Sequence, residues 1–207
     1  MVLIGGSQLS TSPAVFQIFC QLGALSRSGR IRPFDKDADG TLLADGMGMV
    51  VIKRLEDARQ DGDRIYAVIK SIGIASDGRG AGILAPRVGG EFLAINRAYK
   101  ESGILPDSID MIEAHGTGTI VGDATEVQAL SQMFGDRKGP VPNCAIGSVK
   151  SMIAHTIPAA GMAGLIKTAL ALYHKVLPPT LVDEPNSELE LNKTPFYLNT
   201  EPRPWIN

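Results

Sequence analysis

With 207 residues, 44% of them hydrophobic, the chain is long enough to bury one substantial core. Its 20 Lys plus Arg against 22 Asp plus Glu, a formal net charge of -2, give no broad basic field, which argues against nucleic acid or an anionic membrane as a partner. The two cysteines, Cys20 and Cys144, are too few for a disulfide framework and are not spaced as metal ligands, so a reducing, cytoplasmic setting without a metal site is expected.

Short apolar runs alternate with helical patterns along the chain. The opening MVLIGG reads as a buried strand that starts without a preceding turn, as if the chain were cut in mid-fold. SPAVFQIFCQLGAL predicts a helix with Ser12 as N-cap and Pro13 at its first position. A polar, glycine-rich loop, SRSGRIRPFDKDADGTLLADGMG, leads to the strand-like MVVIKRL, then to EDARQDGD as a short helix or turn, and to a second strand, RIYAVIKSIGIAS. SDGRGAGILAPRVGG reads as a surface loop, and EFLAINRAYKESG as a helix closed by Gly103. Pro106 and Asp107 open SIDMIEAHG, a strand built on Ile109, Met111 and Ile112. DATEVQALSQMF predicts a helix, NCAIGS a short strand, and AAGMAGLIKTALALYHK a long, largely buried helix, followed by a proline-rich tail from Leu177. The N-terminal MVLIGGSQLS has no basic region ahead of a long apolar one, and the most apolar later run is broken by Lys167, so neither a signal peptide nor a membrane span is expected. One α/β layered domain follows from this alternation.

EAHGTGTIVGDATE, Glu113 to Glu126, follows a predicted strand and precedes a predicted helix, where glycines let backbone approach a ligand and a helix start presents unpaired N–H groups. Asp123 and Glu126 form a D-x-x-E capping arrangement that accounts for both acids without chemistry. His115 sits among glycines and threonines, where a core would hold apolar side chains, although a lone loop histidine is ordinarily only that. A second turn, GSVKSMIAHTIPAAG, carries Lys150 and His155. Singly, Lys150 reads as a solvated lysine and His155 as a core histidine satisfied by backbone. Together, two histidines in two similar turns, one with a lysine and one with a glutamate, are what a site needs to stabilise a developing oxyanion. His174, at a helix end where its charge suits the dipole, is assigned no chemistry.

EAHGTGTIVGDATE, GSVKSMIAHT, RPFDKDADG and HKVLPPTL resemble the later half of a β-ketoacyl synthase, the condensing enzyme of fatty-acid and polyketide synthases, and the resemblance runs over nearly the whole chain. VKSMIAHTIPAAG and TPFYLNTEPRPW look most like iterative type I polyketide or polyunsaturated fatty acid synthases. The resemblance implies a thiolase-like layered fold, α-β-α-β-α, present only as its later half. It implies decarboxylative Claisen condensation, an acyltransferase activity in which malonyl arrives on the phosphopantetheine arm of an acyl carrier protein and the domain itself binds no cofactor. His115 and His155 match the two histidines that bind the malonyl thioester oxygen, Lys150 and Glu126 the pair that orders the site, and Thr117 and Thr119 the threonines that bond the pantetheine arm. Adjacent synthase domains and a homodimer in the complete domain are the further partners it implies.

The sequence departs from the family pattern where the nucleophile is concerned. The family cysteine sits in an elbow ahead of the strand that here reads MVLIGG; Cys20 lies in a helical apolar face and Cys144 at a strand start, so both read as structural. The glycine- and phenylalanine-rich closing loop is also missing, Ala154 stands where glycine is usual, and Ala44 to Gly46 replaces a common glutamate. Residues 1–207 are thus expected to be a partial ketosynthase domain, the end of the N-terminal half plus most of the C-terminal half, inactive alone. Two alternatives stay open, a non-catalytic partner subunit resembling chain-length factors and a small-molecule binding module. The second lacks any phosphate-binding glycine motif in context.

Overall fold

The structure is a computed structural model describing residues 1–9, 12–79 and 85–206. In chain order its elements are β1 (Val2–Gln8), α1 (Pro13–Gln21), β2 (Gly46–Ile52), α2 (Leu55–Gln60), α3 (Val88–Ser102), β3 (Met111–Glu113), α4 (Ile120–Phe134), β4 (Cys144–Gly147), the single turn α5 (Lys150–Ile153), α6 (Ala160–His174), β5 (Val176–Leu177), β6 (Phe196–Leu198) and β7 (Arg203–Pro204). The predicted start of α1 and the predicted end of α3 hold: Ser12 Oγ accepts the Val15 N–H, Pro13 opens α1, and Gly103 closes α3 at φ 66°.

β3, β4 and β6 form a parallel sheet in that order, as strands joined by helical crossovers must. α4 lays Val127, Leu130 and Phe134 on Cys144, Ile146 and Phe196 of this sheet, with Phe34 and Leu189 completing the core and Ile95 and Tyr99 of α3 packed behind. α6 contacts β3 on one side and the antiparallel pair β1–β2 on the other. The layers therefore run α, β, α, β, in the alternation expected.

Three expectations are corrected. β1 is not buried: the outer face of β1–β2 carries Leu3, Met47, Met49 and Val51 at 61, 68, 53 and 62% exposure. α6 buries only Ala160, Gly164 and Ala171, because a single helix between two sheets leaves its flank open. RIYAVIKSIGIAS joins no β ladder among the described residues. It runs along α3 instead, where Ser71 Oγ donates to the Ala98 carbonyl at 2.7 Å and Arg97 bonds the Ile74 carbonyl, so its alternation turns Ile72 and Ile74 outward. Residues 80–84 of the predicted surface loop lie outside the described residues, and α3 already begins at Val88. No helix among the described residues is long and apolar enough to cross a membrane.

Candidate active site

Register brings the two motif turns together. Glu113 at the end of β3 pairs with Gly147 at the end of β4, so the residues that follow, His115 and Lys150, emerge side by side at the carboxyl ends of neighbouring parallel strands. The approach is close: a Cβ on Gly116, at φ 44°, would stand 2.7 Å from Ser148 Cβ. Glycine there is a requirement of both conformation and space.

His115 is clamped through its backbone. Glu126 accepts the His115 N–H on Oε1 at 2.6 Å and the Gly116 N–H on Oε2 at 2.8 Å. From the other side Lys150 Nζ donates to the His115 carbonyl at 2.5 Å, joined by Ser148 Oγ at 3.2 Å. Lys150 is only 3% exposed, which rules out a solvated lysine. The capping arrangement is also overturned. Asp123 already donates its N–H to the Thr119 carbonyl inside α4, and its carboxylate accepts Phe34 N–H at 2.7 Å and Gly118 N–H at 3.2 Å. Burial pushes Asp123 up to about 7 and also raises Glu126.

His155 is held by the end of the polar loop that leads into β2. Its N–H donates to the Leu42 carbonyl at 2.8 Å and its carbonyl accepts the Ala44 N–H at 3.0 Å. Its Nδ1 accepts the Ile157 N–H at 3.1 Å, so the neutral ring carries its proton on Nε2 as a donor. The His115 and His155 rings meet edge to face, centroids 5.5 Å apart, in a cleft of about 570 Å³ that Lys150, Ile157, Gly161 and Leu165 also line. Burial first, then the Lys150 ammonium, drives both histidines down to about 4. At neutral pH the cleft presents two uncharged imidazoles above a buried lysine.

The remaining candidates lie beside this centre. Thr117 and Thr119 hydroxyls bond each other at 3.1 Å, which uses one of their two protons and leaves one to offer a ligand. Cys20 is exposed on α1, Cys144 is buried in the core with its thiol pushed up to about 12 by desolvation, and neither lines the cleft. Among the described residues no three His, Cys, Asp or Glu side chains are grouped to hold a metal ion. Sequence reading missed Glu113 and Lys167, which pair at 2.6 Å beside the cleft. The available signal was a lone acid ending an apolar strand and a lone lysine interrupting an apolar helix.

The family model described as Beta-ketoacyl synthase, C-terminal domain, matches residues 66–182, and that described as Beta-ketoacyl synthase, N-terminal domain, matches residues 1–58. The chain is 43% identical over 206 residues to Polyketide synthase PksL of Bacillus subtilis (strain 168), covering 99% of the chain and 4% of that protein. It is 40% identical over 206 residues to Polyketide synthase GfsA of Streptomyces halstedii, covering 99% of the chain and 3% of that protein. Among solved structures, the ketosynthase from module 6 of the bacillaene synthase from Bacillus subtilis 168 superimposes with TM-score 0.94 at 43% identity, over 99% of this chain and 37% of that one. The ishigamide ketosynthase/chain length factor gives TM-score 0.85 at 32% identity, over 98% of this chain and 47% of that one. The chain thus spans a small part of its curated relatives and less than half of these solved ones.

Proposed function

The chain belongs to the β-ketoacyl synthase family, with its thiolase-like layered fold, and from that premise we propose that it supplies the malonyl-activating half of a condensing site. A malonyl thioester, carried on the phosphopantetheine arm of an acyl carrier protein, places its thioester oxygen between His115 and His155. The malonyl carboxylate leaves as carbon dioxide, and the electron pair of the broken bond becomes an enolate whose charge settles on that oxygen. Neutral N–H donors fixed in advance stabilise this charge without reorganisation. The enolate carbon then attacks the carbonyl of an acyl thioester, expelling the thiolate and leaving a β-ketoacyl chain on the carrier.

The observation that carries the reading is the acceptor role of His155 Nδ1, which makes the other ring nitrogen the donor on a ring that lines the cleft beside His115. Lys150 and Glu126 hold the His115 backbone so that its ring keeps that relation. Thr117 and Thr119, with one hydroxyl proton to spare, suit the amide carbonyls of a pantetheine arm, the chemistry that arm would bring. The acyl thiol is supplied from outside these residues, since Cys20 is remote from the cleft lining and Cys144 is a protonated core thiol. Adjacent synthase domains and a homodimer complete the proposal, and the iterative class rests on the sequence motifs alone. A non-catalytic partner subunit has no use for two clamped donors and a buried lysine, which favours the enzyme.

Malonyl-carrier decarboxylation decides. His115→Ala and His155→Ala should each abolish carbon dioxide release in the complete synthase, and activity retained by both overturns the roles assigned. The isolated chain should form no acyl-enzyme and no β-ketoacyl product; either one overturns the external thiol.

A further inference from the structure

Glu113 ends β3 two residues before His115, and its carboxylate is engaged wholly inside the protein. Oε2 pairs with Lys167 Nζ of α6 at 2.6 Å, Oε1 accepts the Val149 N–H at 2.6 Å, and the two charged side chains are 11 and 10% exposed. One carboxylate therefore joins the end of β3, the turn entering α5 and the helix α6, the three elements that meet at the cleft. Gly164 permits this convergence, because a Cβ there would stand 3.0 Å from Glu113 Cγ.

Val149 immediately precedes Lys150, so two straps cross between the same segments. Glu113 reaches from β3 to the Val149 N–H, and Lys150 reaches back from the turn to the His115 carbonyl. Lys150 can point at that carbonyl only while the turn stays seated. Without Glu113 the buried Val149 N–H loses its acceptor and Lys167, its side chain only 10% exposed, is left as an unpaired charge.

Resting on the decarboxylation reading above, we infer that Glu113 and Lys167 are positioning residues whose ion pair seats the α5 turn and so keeps Lys150, His115 and His155 in catalytic register. They touch no reacting atom. Their effect belongs to kcat, because the thioester still enters the same cleft while its oxygen meets displaced donors.

The test measures malonyl-carrier decarboxylation in the complete synthase with E113Q, E113L, K167M and E113Q/K167M. An amide at 113 still accepts the Val149 N–H but removes the charge; leucine removes both. E113L should lower kcat by roughly 10–100-fold at unchanged KM, the scale of outer-shell residues that orient a site. E113Q should fall between E113L and wild type, and E113Q/K167M should recover activity relative to K167M, since a neutral pair leaves no buried charge unpaired. Should E113L fail to fold, the comparison of K167M with E113Q/K167M carries the test. Wild-type kcat in both K167M and the double variant, with H115A inactive, overturns the inference while leaving the decarboxylation reading intact. Activity retained in H115A and H155A removes that reading, and the inference with it.

Discussion

The His115 and His155 rings stand edge to face with centroids 5.5 Å apart, and each resists protonation because burial, and after it the Lys150 ammonium, disfavours a positive charge on the ring. Both sit near 4 against an ordinary 6.5, so an NMR titration of their ring protons should give midpoints near 4, coupled because the sites interact. The proposed decarboxylation should accordingly keep its neutral donors well below pH 6.5. Between about 6.5 and 4 the unfolded chain binds more protons at these residues than the folded one, so their contribution to stability is present above 6.5 and falls as pH falls through that window. Asp123, raised to about 7, works in the opposite sense. The measurement is therefore the difference in melting temperature between wild type and H115N/H155N at each pH, expected to move against wild type on acidification.

Lys150 acts on the same pair in two ways, through its bond to the His115 carbonyl and through its charge. Lys150→Met removes both. The titration midpoints of both histidines should rise towards 6.5, and kcat should drop roughly 10–100-fold. Unmoved midpoints would show that the ammonium does not face the rings.

Ala154 occupies φ 60°, ψ -170° directly before His155, a conformation suited to glycine. Ala154→Gly should stabilise the protein by about 1 kcal/mol, raising the melting temperature by about 2–4 °C. A fall would mean that the alanine methyl makes packing contacts worth more than the strain.

Asp35 staples the RPFDKDADG loop to the tail: buried at 1% exposure, it accepts Asp37 N–H at 2.9 Å, Asp183 N–H at 2.7 Å and Glu184 N–H at 3.0 Å. Burial alone would raise its pKa, but these donors and Arg32 hold it below 3.8, so its contribution is present above that value and lost as pH falls through the folded one. Asp35→Asn, which trades one acceptor for a donor, should cost about 1–3 kcal/mol in denaturant unfolding.

His115, Lys150 and His155 stood out only as a set, since each taken singly read as an ordinary loop, surface or core residue and the family resemblance supplied the roles. Lys150 and His155 share one turn, and Glu126 lies one helical stretch beyond His115. The contacts of Asp123 and Glu126 were not legible from local spacing, because D-x-x-E suits a cap and only the true helix start at Ile120 shows that both acids face other loops; the resemblance alone marked Glu126. Glu113 and Lys167 escaped for a related reason: their bond spans 54 residues, and no local pattern encodes it. The 64–76 segment shows the converse limit. Its alternation is real, but a strand also needs a neighbour, which alternation cannot reveal.

The outer face of β1–β2 is apolar and open. Register sets Leu3 opposite Val51 and Gly5 opposite Met49, so Leu3, Val51, Met49 and Met47 project to one side, while Ile4, Gly6, Gly48 and Val50 turn towards Pro158 and α6. Strands apolar on both faces belong to a sheet covered on both faces. Among the described residues only the inner face is covered, and Ile72 and Ile74, 68 and 74% exposed, add a second apolar edge with no strand beside it. The chain expressed by itself should therefore associate at micromolar concentration, visible in sedimentation as a mass that rises with concentration. Met49→Glu/Val51→Lys places opposite charges on the exposed face without touching the side packed on α6, and should shift the chain towards monomer with its melting temperature little changed. If the wild-type chain sediments as a monomer at all concentrations, the outer face tolerates water and the driving force argued from its exposure is too weak to matter.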